Sequence, residues 1–297
     1  MQDLNWNDIR VFLAVAEAGK IASAAQALRL DPTTLGRRIK RLEARLQTRL
    51  FERTRSGQLL TEAGEKLLSQ AEAMAHAARS IDEEMVSQRG LSGILRMSVS
   101  EGFGSQFLTP YMGSFAQRHP NLALELVANS GFLSPSKREA DIAVMLSRPK
   151  AGPVLYRKLS EYTLKLYASP SYLQANSVPR APAELAEGHA LVGYVPDLIY
   201  APELNYLDDF HTGLQARIRS SSINAQHRLV AEGAGIAVLP AFIGDATGEL
   251  VVVCPEKSIR RNLWFVTHQD TQNLARVRAG KEWLDECVAK GRKRLLP

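Results

Sequence analysis

Cysteine is nearly absent. Cys254 and Cys287 are the only two in 297 residues, and neither has a second thiol or a histidine at ligand spacing. A disulfide framework and a zinc site are thereby excluded, and a reduced intracellular chain is expected. Long apolar runs are missing too: none approaches the ~20 residues that a membrane helix needs. The opening MQDLNWNDIR carries two aspartates and no apolar stretch, so no secretory signal is read there and a cytoplasmic location is expected. The six histidines, His76, His119, His189, His211, His227 and His268, show no metal-ligand spacing. Gly102-Phe-Gly104 lacks the third glycine of a dinucleotide loop, since position 107 is Phe, and Gly233-Ala-Gly235 precedes a strand instead of following one. Ser134-Pro-Ser-Lys137 has the Ser/Lys spacing of some acyl enzymes without their companion motifs. Asp141, opening a strand, reads as structural. No catalytic residue, metal or cofactor is therefore expected, and no enzymatic activity.

What is present is ordinary in amount and uneven in placement. Hydrophobic residues make up 45% and charged residues 23%, enough for real cores across about two domains. The net charge is +6. Between Arg29 and Arg55 stand Arg29, Arg37, Arg38, Lys40, Arg41, Arg45, Arg49, Arg53 and Arg55, opposed only by Asp31, Glu43 and Glu52. Six net charges thus fall in this one window, leaving the rest of the chain nearly neutral. Such a patch suits phosphate binding, where each neutralised phosphate releases a counterion. It equally suits a solvated helix face.

Periodicity separates these readings. Ile9, Phe12, Leu13 and Ala16 recur as one helical face, and Gly19 stands where a helix stops in a left-handed conformation. A short second helix runs through Ala24, Ala25 and Leu28. Asp31-Pro32 then supplies an N-cap and a first-turn proline. In PTTLGRRIKRLEARL, Leu35, Ile39, Leu42 and Leu46 form a buried stripe. Thr33, Thr34, Arg37, Arg38 and Arg41 fall largely on the other side, so the helix can present hydroxyls to base edges and arginines to phosphates. Gly36 costs about 1 kcal/mol against Ala in an exposed helix, which points either to close approach, to DNA or to helix two, or to mere tolerance.

Ser56-Gly57 between two short apolar stretches reads as a hairpin turn, a wing carrying Arg53 and Arg55. Thr61 then caps a long helix. Along it Leu67, Ala71, Met74, Ala78, Ile81 and Met85 recur every 3.5 residues, as in a helix packed on a partner helix. A helix lying on its own domain remains the alternative. Dimerisation would fit two-fold reading of palindromic half-sites.

FLAVAEAG, AAQAL, GRRIKRLEARL, RLFERT and LTEAGEKLL, in that order, resemble the LysR-type transcriptional regulators over the first ~85 residues. The resemblance implies that Ser23–Leu28 begin a helix-turn-helix, Pro32–Leu46 form its recognition helix, and Thr61–Gln88 form a dimerising linker helix. Ser23, with Ala22 in place of the family's capping threonine, is assigned the cap of helix two and a DNA contact. Where the family often opens the recognition helix with Ser-Gln-Pro, this chain has Asp31-Pro32-Thr33, so base specificity does not carry over.

Beyond Gly90 strand-like runs alternate with helices: Leu95–Val99, Ala123–Val127, Ile142–Met145, Thr163–Tyr167, Ala190–Gly193, Ile236–Leu239, Leu250–Val253 and Leu263–Thr267. Their few polar interruptions suggest parallel strands covered on both faces. ADIAVML, YASPSYL and VAEGAGIAVLP resemble the family's sensor domain, which implies two periplasmic-binding-protein-like subdomains crossing near Ser160 and Pro255–Arg260. An effector is then expected in the cleft at strand carboxyl ends. Ser100, Gly102, Phe103 and Gly104 read as a glycine-rich loop offering N–H groups to an anion. Ser130, Gly131, Phe132, Tyr194 and Asn224 complete the candidate lining, with ordinary turn residues as the alternative at each.

The expected fold is therefore multidomain: an N-terminal all-α winged helix-turn-helix (1–61), a linker helix (62–90), and a C-terminal α/β effector domain (91–297). Subdomain I takes 91–160 and 256–297, subdomain II 161–255. The expected partners are double-stranded promoter DNA, a small-molecule effector, a second copy in a homo-dimer or homo-tetramer, and RNA polymerase.

Overall fold

The computed structural model describes residues 5–54, 57–86, 91–129, 135–137, 139–186 and 188–297, with backbone alone at 53, 73, 76–77, 79–86, 129 and 137. The chain forms two compact units, divided after Val86.

In the first unit, α1 (Trp6–Ala18) starts at Asn5, whose side chain accepts the N–H of Asn7 at 2.9 Å, and stops at Gly19 with φ +64°. Its buried face is Ile9, Val11, Phe12 and Val15, while Leu13 and Ala16 are only half-buried. α2 (Ile21–Leu28) begins after Lys20, which makes no side-chain cap bond. Ser23 lies inside the first turn, exposed, and so does not cap this helix. α3 (Pro32–Leu46) is capped by Asp31, which accepts the N–H groups of Thr33 at 2.8 Å and Thr34 at 3.2 Å. Leu35, Ile39 and Leu42 are buried as the stripe requires, and Leu46 packs at its edge.

β1 (Phe51–Arg53) pairs antiparallel with β2 (Gln58–Leu60), Phe51 opposite Leu60. Gly57, at φ +148°, lies directly against the carbonyl of Gly19, which also accepts the N–H of Gln58 at 2.8 Å. Only a residue without a Cβ brings the wing this close to the α1–α2 turn. α4 (Glu62–Val86) is capped by Thr61, whose hydroxyl accepts from Gly64 at 3.0 Å and donates to the Arg49 carbonyl at 2.7 Å.

The α4 heptad reads differently in three dimensions. Ala71 is fully buried in the core of its own unit, and Leu67 packs against that core. Met74 is 44% exposed. Ala78 is half-buried, and the side chains of Ile81 and Met85 lie outside the described residues. The first two heptad positions therefore bind intramolecularly; a 3.5-residue period marks an apolar stripe without saying which surface covers it.

The second unit is built on one sheet ordered β4 (Leu122–Asn129), β3 (Gly93–Ser100), β5 (Ile142–Met145), β11 (Ile259–His268), β6 (Val154–Ala168), β9 (Ile236–Pro240), β7 (Leu191–Gly193), β8 (Ile218–Arg219), with β10 (Val251–Val253) also on β6. β3 is parallel to both of its neighbours, and so is β7. The middle is not parallel as expected: β6 and β11 run antiparallel to each other, and β5, β9 and β10 join them antiparallel. The register slips between Leu263 and Trp264, opposite Ser160 and Lys158, leaving Leu159 unpaired in the count. The apolar runs at Thr163–Tyr167 and Leu263–Thr267 are parts of these longer strands. Arg157, Lys158, Ser160 and Glu161 break up the first half of β6, which hides that half from a search for apolar runs.

After β3 the chain turns directly into helix. Phe103–Leu108 form π-helical turns that lead into α5 (Thr109–Arg118). The expected glycine-rich loop is thus helical. A Cβ on Gly104 would stand 2.6 Å from Ala128 Cβ and 2.7 Å from Val99 Cγ2, so this glycine lets the π segment rest on β3 and β4. The remaining helices are α6 (Pro170–Ala175), α7 (Leu207–Phe210), α8 (Ile223–Ala231), α9 (Ala241–Gly244), α10 (Ala275–Lys290) and α11 (Arg292–Leu295). Asp141 and Arg276, 5% and 4% exposed, tie β5 to α10. No helix among the described residues is long and apolar enough to cross a membrane.

Candidate functional site

Two places gather the residues singled out above, one in each unit. In the first, α2, α3 and β1 border an open groove lined by Ala22, Thr33, Gly36, Arg37, Lys40 and Arg49. The buried stripe of α3 orients it: with Leu35, Ile39 and Leu42 turned inward, Thr33, Arg37 and Lys40 are exposed, and Thr34 and Arg38 are half-buried. A Cβ on Gly36 would meet nothing within 4 Å, so close approach to helix two is not its reason. It leaves the middle of the groove open.

Arg41 departs from the expected set. Its Nε donates to Asp8 Oδ2 at 2.8 Å and its Nη2 to Oδ1, a two-pronged pair that fixes α3 to α1. Asp8 is 4% exposed, and the bond to it raises the Arg41 pKa above its ordinary value. Arg53 stands on β1 with its side chain outside the described residues, and Arg55 lies outside them altogether.

The second place is a cleft at the carboxyl ends of β3 and β7. Ser100, Gly102, Phe103 and Tyr194, all expected from the sequence, line it. Ser130, Gly131 and Phe132 fall outside the described residues. Asn224 stands beside the cleft in the first turn of α8, where its side-chain amide donates to Glu101 Oε1 at 2.9 Å and its carbonyl accepts from Gln106 Nε2 at 3.0 Å.

Glu101 organises this junction. Besides Asn224, it accepts the Ser222 hydroxyl at 2.7 Å and the Ile223 N–H at 3.0 Å. Its carboxylate therefore occupies the N-terminus of α8, a place that favours negative charge. Gly102 lies against Ile223 and Ile243, and Gly104 against β3 and β4, so both serve packing.

Tyr162, Tyr200 and Tyr206 complete the wall with Tyr194. The rings of Tyr194 and Tyr206 meet edge-on with centroids 6.0 Å apart, and Phe103 stacks on Phe107 at 4.9 Å. Burial pushes the Tyr200 phenol up to about 12 and also raises Tyr162, Tyr194 and Tyr206, so all four stay neutral. The free volume is about 30 Å³, room for roughly one water. A larger ligand must move these rings.

Sequence reasoning missed Glu101, Tyr162, Tyr200 and Tyr206. Glu101 sat between two residues already chosen, and its charge at the end of a strand was the available signal. The tyrosines lie on a crossing strand and in the irregular stretch after β7, where no periodicity marks them.

A helix-turn-helix with a capped basic second helix and a hairpin wing, followed by a sheet domain with a tyrosine-walled cleft, defines a ligand-responsive DNA-binding protein. Residues 6–65 match the bacterial regulatory helix-turn-helix protein of the lysR family, and residues 88–288 match the LysR substrate binding domain. The chain belongs to the LysR-type transcriptional regulators, which combine DNA binding with an effector-binding domain. It is 27% identical over 287 residues to the Mau operon transcriptional activator of Paracoccus denitrificans, covering 96% of this chain and 97% of that one. Its fold is similar to a full-length OxyR variant from Pseudomonas aeruginosa, with a TM-score of 0.71 at 19% identity over 96% of this chain and 98% of the other. It is also similar to full-length CbnR in complex with its target DNA, with a TM-score of 0.67 at 18% identity over 96% and 100%.

Proposed function

We propose that this regulator reads promoter DNA through α3 and Arg53 and Arg55 of the wing, and that it acts in the cytoplasm without catalysing a reaction. The groove along α3 carries this reading: Thr33 and Thr34 at the capped N-terminus reach base edges, while Arg37 and Arg38 grip phosphates. Ser23, exposed on α2, adds a backbone contact. Arg41 acts by holding α3 on α1. Residues 1–61, 62–90 and 91–297 divide the work into reading, pairing and sensing, with 91–160 and 256–297 facing 161–255 across the cleft.

Two copies pair along the second half of α4, giving a dimer or, through further contacts, a tetramer on an interrupted palindrome. An effector bound among Ser100, Phe103, Tyr194 and Asn224 shifts the relation of the two subdomains because it binds one arrangement better than the other. RNA polymerase is the partner that this shift reaches.

Arg37→Ala and Arg38→Ala should each weaken binding to the promoter region by roughly tenfold, with a shallower salt dependence. Circular dichroism should stay that of the wild type. Gel-shift affinity unchanged in both variants would overturn the assignment of α3.

A further inference from the structure

Among the described residues, the cleft carries a negative charge and no cation lines it. Glu101 is the one charged side chain in the described lining, and no described lysine, arginine or histidine joins the wall. Three neutral donors serve the carboxylate, two on Oε1 and one on Oε2. Since a carboxylate offers about four acceptor positions, one on Oε2 is left. Arg261, whose charge reaches Tyr162, is held by Asp209, and Glu203 acts on the same tyrosine with the opposite sign. Glu101 itself acts on Tyr194 and Tyr200.

Four tyrosines share the cleft lining with this charge, and Tyr194 and Tyr200 lie near enough to feel it. The Tyr206 hydroxyl is buried without a partner in a residue only 3% exposed, an arrangement that normally costs free energy and therefore asks for a ligand group.

We infer that the effector of this protein is a small organic ammonium ion, bound between Glu101 and the tyrosine wall. The inference rests on the cleft being the effector site. An ammonium N–H donates to the remaining position on Glu101 Oε2, and the unpartnered Tyr206 Oη is left for another polar group of the same ligand. The positive charge lies against tyrosine rings, whose negative faces attract cations most strongly when desolvated. An anionic effector meets the opposite conditions: the Ile223 N–H at the start of α8 is already taken by Glu101, and a second carboxylate would face the first with no basic side chain among the described lining residues. The small free volume favours a compact group, the rings parting for whatever the nitrogen carries.

The test uses the full chain and charge-opposed pairs of one carbon skeleton: propylammonium against butyrate, and phenethylammonium against 3-phenylpropionate. Titration calorimetry at constant ionic strength should show an ammonium ion binding at least about tenfold tighter than its carboxylate twin. Glu101→Gln should remove that preference. Since Glu101 also braces α8, Tyr206→Phe is the control: it deletes only an unpartnered hydroxyl that these probes do not use, should melt no lower than wild type, and should keep the preference. Tighter binding of the carboxylates, altered by Glu101→Gln, would overturn the cation and leave the cleft standing as the effector site. Binding of neither class, or binding indifferent to Glu101→Gln, would overturn the cation and the cleft together.

Discussion

A buried carboxylate is tolerable where its charge and its lone pairs are both taken up. Asp141 meets that condition: Arg276 donates to Oδ1 from Nε at 3.3 Å and from Nη2 at 3.2 Å, and the Arg96 N–H donates to Oδ2 at 3.0 Å. Asp141→Ala leaves the Arg276 guanidinium charged in a dry interior. It should therefore cost about 3–5 kcal/mol of stability, measured by urea unfolding followed through the tryptophans of the second unit, Trp264 and Trp283. Replacing both partners by apolar residues of similar volume should cost far less, because no charge is then stranded. Equal losses in the single and double variants would show that packing, not charge, dominates there. The same logic separates residues that were legible in the sequence from those that were not. Asp31, Gly19 and Thr61 announce themselves because a cap bonds to N–H groups two or three positions away. Glu101 bonds to Ser222, Ile223 and Asn224, more than a hundred residues on, and no local pattern encodes that meeting.

At the scale of elements, legibility follows burial. α1, α3 and α4 show in the sequence because each has one apolar stripe, and β5 shows as an unbroken apolar run. β6 and β11 show only in part, since their strands continue past the buried stretch into exposed residues, and pairing decides where they end. The π segment has no sequence signature, and its glycine gives a test with opposing terms. Gly104→Ala gains up to about 1 kcal/mol from helix propensity. It also drives a Cβ into Ala128 and Val99, both on strands, at a cost of about 1–3 kcal/mol for overpacking. The second effect should win, and the melting temperature should fall. Gly113→Ala in α5 is the matched control, because a Cβ there meets nothing within 4 Å. That variant should gain roughly 0.5–1 kcal/mol. A Gly104→Ala protein that melts as high as the Gly113→Ala protein would mean that β3 and β4 yield to the added methyl.

For the whole molecule, each unit closes its own core: Ile9, Phe12, Leu35, Leu42 and Ala71 in the first, the sheet with its flanking helices in the second. The two clusters share no residue, which is why the two halves could be read separately from the sequence. The apolar stripe of α4 extends past what the first core covers. Leu67 and Ala71 are absorbed inside, so the proposed pairing of two copies would have to begin at Met74, a large apolar side chain left 44% exposed. A charge at Met74 would face its symmetry mate across a two-fold seam, where like charges repel and neither finds a partner. Met74→Asp should therefore shift sedimentation toward the monomer while the melting of the first unit holds. An operator with two half-sites should lose at least about tenfold in gel-shift affinity, because the second half-site is no longer bound at the high effective concentration that linkage provides. A single half-site should be bound as before. If instead the dimer persists, the seam lies elsewhere; if the first unit unfolds, Met74 belongs with Ala71 to the inner core. Ala71→Asp distinguishes these outcomes, since a charge at that buried position should unfold the first unit outright.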